Sequence, residues 1–251
     1  LEFYYFKNHN LKEKTMEGFY QTAPIAVSRE NEIVQAAFIR KTYMHVALAV
    51  LGFVVVMTLF LNTPAIVNVG LAMAQGWTWL LVLGAFMFGT SYLERWAMNA
   101  TNTRDQYLAL AGYVVLEAFI FVPLIYMAIA YTGSTELISQ AAVITLFLFS
   151  GLTAVVFISG KDFSFLRSAL TVGGFIAIGL IVAGMAFGFS LGLWFSVAMV
   201  ALAAGSILYQ TSNIMNNYHK GQYVAASLGL FASLMLMFWY VLQILMSLSG
   251  D

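Results

Sequence analysis

Residues 107–131 read YLALAGYVVLEAFIFVPLIYMAIAY. One side chain in that run, Glu117, carries a charge, and nothing in it alternates between apolar and polar with a period of two. A barrel strand would alternate. A helix of this length, rising about 1.5 Å per residue, is long enough to cross the roughly 30 Å of hydrocarbon in a bilayer. Working outward, comparable apolar runs lie at about 41–61, 77–97, 136–158, 168–188, 193–213 and 223–246. The fold class expected is therefore all-α: a polytopic membrane protein built as a seven-transmembrane-helix bundle.

Composition agrees. Of the 251 residues, 61% are hydrophobic and 9% charged, whereas a soluble domain is about half apolar and a quarter charged. Such a chain could not hide its apolar surface from water. The formal net charge is zero, which gives no reason to expect nucleic acid as a partner; the expected surroundings are the lipid bilayer. The absence of cysteine removes disulfides, thiolate metal sites and cysteine nucleophiles.

The 11 basic residues give a direction. Lys7, Lys12, Lys14, Arg29, Arg40 and Lys41 precede or open span one. Arg95 and Arg104 lie between spans two and three, Lys161 and Arg167 between four and five, and Lys220 between six and seven. The other connections have none. The positive-inside rule then puts the N-terminus in the cytoplasm and the C-terminus outside.

Two regions are expected: a cytoplasmic tail, 1–40, and the seven-helix domain, 41–251. The tail is too polar for a signal peptide, so no cleavage is expected; residues 1–15, ahead of Met16, read as an upstream extension. Within 28–41, Ser28 suits an N-cap, Glu30 and Glu32 suit a first turn, and Ile33, Val34, Ala37 and Phe38 form an apolar stripe. That segment is either an interfacial helix or a continuous extension of span one. In span five, Ala169, Gly173 and Ala177, then Gly184, Gly188 and Gly192, recur every four residues, as small residues do where helices pack closely.

Polar groups inside lipid need a reason to be there. An acid near the midplane costs about 2.5–3.5 kcal/mol on insertion scales, so Glu117 should face the bundle interior. It reads either as a proton- or cation-contacting group or as a neutral acid bonded to a neighbouring helix. Ser233, ten residues into span seven, reaches a similar depth, and the two are expected to meet. His45, Gln210 and Asn213 fall near the inner boundary as a candidate polar cluster. For His45 the plainer alternative is an interfacial histidine satisfied by backbone or water. In the loop Gly160–Phe165, Asp162 or Ser164 should cap span five, or Lys161 and Asp162 should form a cytoplasmic contact site.

Catalysis has little to work with. There is no H-E-x-x-H run, no glycine-rich phosphate loop and no pair of carboxylates at matching depth on separate spans. A retinal Schiff base is excluded because spans six and seven lack lysine. No enzyme, resident metal or cofactor is expected.

Three segments carry a resemblance: Phe38-Ile39-Arg40-Lys41-Thr42-Tyr43, Gly160-Lys161-Asp162-Phe163-Ser164-Phe165-Leu166, and Ile207-Leu208-Tyr209-Gln210-Thr211-Ser212-Asn213-Ile214. Their order and spacing from residue 36 onward resemble the Bax inhibitor-1, or transmembrane Bax inhibitor motif, family. Glu117 and Pro123 also stand where many members have glutamate and proline. Tyr209–Ile214 and Ser233 are most similar to the bacterial branch that restrains the membrane-anchored, ATP-dependent protease FtsH. That likeness implies a regulator in the bacterial inner membrane with an FtsH-type protease as partner. Other members are pH-sensitive calcium leak channels closed by an aspartate pair on spans six and seven. Gln210 and Ser233 occupy those places here, so the resemblance implies that this proton-titrated latch is missing, while a calcium or cation path past Glu117 remains the alternative function.

Overall fold

The computed structural model describes residues 32–249. It has eight α-helices in this region: α1 Glu32–Leu61, α2 Pro64–Met73, α3 Gly76–Asn99, α4 Thr103–Thr132, α5 Glu136–Ser159, α6 Leu166–Phe187, α7 Gly192–Asn216 and α8 Tyr223–Leu248. All but α2 are long and apolar enough to span a bilayer. Each of the seven expected spans thus corresponds to one helix. The additional element is α2, ten residues opened by Pro64 at the first helical turn, where proline's missing N–H costs nothing. It is too short to cross and packs against α1 and α4.

α1 runs unbroken from Glu32 into the span. Residues 32–41 are thus a continuous extension of it, while Ser28, Glu30 and the rest of 1–31 lie outside the described residues.

The centre of the bundle is α4 and α8. Fourteen residues of α4 are buried, from Gln106 to Ala128, and α8 is buried along most of its length, from Val224 to Leu242. Phe121 anchors their contact. Its ring meets Phe53 of α1 edge-on at 5.2 Å, stacks on Phe238 at 5.8 Å, and meets Trp239 edge-on at 4.8 Å. Offset-stacked and edge-to-face geometries are the ones the aromatic quadrupole favours.

In lipid a hydroxyl has no water to bond, so it turns back on its own helix. Thr58, Thr63, Thr90, Thr132 and Thr171 each donate to the carbonyl four residues earlier. Thr145, which is buried, does not: its hydroxyl has no partner.

The span-five glycines divide by purpose. A Cβ on Gly173 would stand 2.7 Å from Leu202 Cδ1 of α7, so the Leu202 side chain packs into the space that the glycine leaves. Gly188 and Gly192 have nothing within 4 Å and adopt φ of +75° and +64°. They are there for left-handed backbone in the turn joining α6 to α7, which corrects the packing role expected for them.

The helix ends that carry the described basic residues gather at one end of the bundle. Gln35 donates to Met215 O, Gln106 to Gly221 O, Gln222 to Met98 O, and Phe163 N–H to Ser212 Oγ. Below, this is called the basic end.

Candidate functional site

A cavity of about 810 Å³ lies among α3, α4, α6, α7 and α8. It runs from Ala74, Phe189 and Gly192, at the end opposite the basic one, inward to Glu94, Gln210 and Gly229. Glu117 and Ser233 both line it.

Glu117 is the fourteenth residue beyond the start of α4 at Thr103, about 21 Å along the helix axis. Its side chain is 5% exposed, and Oε2 has no hydrogen-bond partner. Leaving a buried carboxyl oxygen unsatisfied is costly. The residue borders the cavity, but Oε2 itself is enclosed by protein.

Ser233 sits one helix away. Its hydroxyl donates to Gly229 O at 2.9 Å and is 2.7 Å from Ser206 Oγ on α7. Having spent its proton on Gly229, Ser233 accepts from Ser206. Glu117 and Ser233 therefore share a cavity without a hydrogen bond between them, and Ser233 is committed to joining α7 to α8.

Gln210 reaches the same cavity because residue 229 is glycine. A Cβ there would stand 2.7 Å from Gln210 Nε2 and 3.0 Å from Oε1.

The expected cluster of His45, Gln210 and Asn213 does not form. His45 Nδ1 bonds Lys41 O at 2.7 Å and Nε2 bonds Tyr107 Oη at 2.8 Å, with the Tyr223 ring 5.1 Å away. Lys41 Nζ stands over that same Tyr223 ring at 5.3 Å, a cation–π contact. Asn213 faces elsewhere and accepts from Asn217 Nδ2 at 2.6 Å. Azimuth around a span was not readable, and these three residues make their contacts in different directions.

Asp162 and Ser164 do not cap α6 either. The N-cap residue is Phe165, and it makes no side-chain capping bond. Asp162 instead organises the loop. It accepts from Ser164 N–H and Ser164 Oγ, both at 2.9 Å, and from Ser212 Oγ of α7 at 3.1 Å. Those bonds, led by the Ser164 N–H, hold its carboxyl below the usual aspartate value. Lys161 is exposed beside it.

Sequence reasoning overlooked Glu94. It lies five residues before the end of α3, next to Arg95, and reads like a boundary charge. Its side chain lines the cavity with Glu117, and Tyr113 borders it too. Two carboxylates therefore face one space, offset by about 13 Å along the bundle axis if measured from the basic ends of their helices. The available signal was that Glu94 falls inside the apolar run 77–97, where an acid needs a partner or a polar cavity.

Comparison with known proteins supplies the remaining context. The chain is 27% identical over 229 residues to an uncharacterized protein of Pseudomonas aeruginosa, covering 90% of this chain and 95% of that one. It is 26% identical over 182 residues to an uncharacterized protein of Neisseria meningitidis serogroup A, covering 72% of this chain and 78% of the relative. A family model described as inhibitor of apoptosis-promoting Bax1 matches residues 35–250. This multi-pass membrane protein therefore belongs to the Bax inhibitor-1 family.

Proposed function

We propose that this protein passes cations, calcium or protons, across a bacterial inner membrane through the cavity bordered by Glu94 and Glu117. The observation that carries this reading is a cavity bordered by two carboxylate residues that begins at one end of the bundle and passes the middle of α4, where Glu117 stands. Carboxylate rings and pairs are how membrane proteins attract cations into low dielectric. Among the described residues no three His, Asp or Glu side chains converge as a metal site. Weak holding of that kind suits an ion in transit, which must enter and also leave. With Gln210 and Ser233 at the inner part of the cavity, control by titration of an acid pair at those positions is absent. In this reading the basic end faces the cytoplasm, and a reporter fused after Asp251 lies on the opposite, non-cytoplasmic side of the membrane.

The test is calcium flux into dye-loaded liposomes containing the purified chain. Wild-type protein is expected to leak well above empty vesicles, and Glu117→Gln to change that rate without changing the melting profile. Flux equal to that of empty vesicles would end the proposal.

A second reading, lateral restraint of an FtsH-type protease, is favoured by α6. That helix lies at the edge of the bundle with Phe175 and Ile176 exposed to the lipid. Copurification in mild detergent distinguishes the two: recovery of the protease by a tagged chain that conducts nothing would favour the regulator.

A further inference from the structure

We propose that the gap between α1 and α5 is a binding site for one hydrocarbon chain of a membrane lipid. No Cα of α1 comes within 8 Å of one in α5, although both helices pack against α8 and α4. Near the basic end the gap is bridged by Tyr43, whose ring meets Phe157 at 5.8 Å and Phe149 at 6.2 Å. Towards the other end nothing bridges it. A groove of about 350 Å³ remains there, walled by Val50 to Leu61 of α1 and Ile138 to Leu146 of α5, with Met235 and Phe238 of α8 at its back.

Lining and setting choose the occupant. The groove follows α1 for eleven residues, about 16 Å, and all but three of its lining residues are apolar. An alkyl chain matches such walls along their length, and in a bilayer alkyl chains are what surrounds them. Thr58 and Thr135 are the polar lining residues at the end opposite the basic one, where a lipid headgroup would sit. Val54 and Leu146 on the rim are 53% and 51% exposed, so the groove opens sideways into lipid. Deeper in, the unpartnered Thr145 hydroxyl is the only other polar group. An alkyl chain offers it nothing, so the hydroxyl adds no affinity for this occupant.

The experiment uses the full chain in nanodiscs containing a phosphatidylcholine with a diazirine midway along one acyl chain. After irradiation, adducts are mapped by peptide mass spectrometry. Met57 and Met235 line the groove and expose 6% and 3% of their surface, so lipid reaches them only from within it. Both are expected to be labelled above fully buried residues such as Leu228 and Leu242, and more weakly than Leu81 and Phe147, which are 75% and 78% exposed. Ala142→Trp, which fills the groove, is expected to lower labelling at the two methionines by about fivefold or more, leaving Leu81 and Phe147 unchanged. Thr145→Val is nearly isosteric and is expected to keep or raise it. Labelling confined to Leu81, Phe147 and similar exposed positions in the wild type overturns the proposal. A loss of groove labelling in Thr145→Val also overturns it, because the occupant would then carry a hydrogen-bonding group. Should Ala142→Trp fail to fold, the wild-type and Thr145→Val patterns decide alone.

Discussion

α4 and α6 are both long, apolar helices, yet fourteen residues of α4 are buried while in α6 only Ala177 and Gly184 are. In water such a difference would be written into the helices as different amphipathicity. In lipid it is not, because hydrocarbon tails are as apolar as a protein core and neither helix gains by turning a particular face inward. What separates the two is packing detail. α4 carries Phe121 among three rings and Glu117 beside a cavity, whereas α6 touches its main neighbour, α7, at small residues such as Gly173.

That contrast is sharpest for large-to-small changes. Phe121→Ala is expected to destabilise by about 3–5 kcal/mol, as buried aromatic truncations do, and to open the wall between the cavity and α1. Phe175→Ala on α6, at a position 72% exposed, should stay within about 0.5 kcal/mol. Titrating both purified variants with a denaturing detergent measures the difference; equal losses would erase the distinction between a central and a peripheral helix.

Adding a methyl group tests the same contrast from the other direction. Gly229→Ala puts a Cβ against the Gln210 amide and is expected to cost about 1–3 kcal/mol. Gly174→Ala on α6 meets nothing within 4 Å and is expected to be stabilising by up to about 1 kcal/mol through helix propensity. Thermal melts of the two variants should move in opposite directions, and a shared sign would refute the packing argument.

The smallest effect is expected in the loop before α6. Because its hydrogen bonds hold the folded carboxyl of Asp162 below the usual aspartate value, its ionised form contributes stability that is present above that usual value. The contribution is lost as pH falls through the lower folded value. Asp162→Asn should therefore melt slightly below wild type at neutral pH, with the gap closing in acid, as pH falls past the usual aspartate value and through the lower folded one. A gap that persists in acid would mean that the loop does not depend on the charge.

Several features could be read directly. Apolar runs of bilayer length announce spans whatever packs against them, so the seven crossings and their order were legible, with α1 longer than its span and α2 unforeseen. Glu117 stood out because an acid at that depth needs a reason. That Ser233 borders the same cavity as Glu117 needed the assembled helices. Gly188 and Gly192 looked like packing glycines because spacing cannot distinguish a close approach from a left-handed turn.

By itself the sequence determined the solvent and the crossings. Transfer of some 20 apolar side chains into lipid is decided residue by residue, and the confinement of lysine and arginine to alternate connections needs no tertiary contact. Only the tertiary structure decided azimuth: that His45 turns to Tyr107 and away from Gln210, that Glu94 joins Glu117 around one cavity, and that α1 and α5 stand apart. Rotation about a helix axis changes little in contact with lipid, so it is chosen by van der Waals fit and a few hydrogen bonds between helices, which appear only once all the helices are assembled.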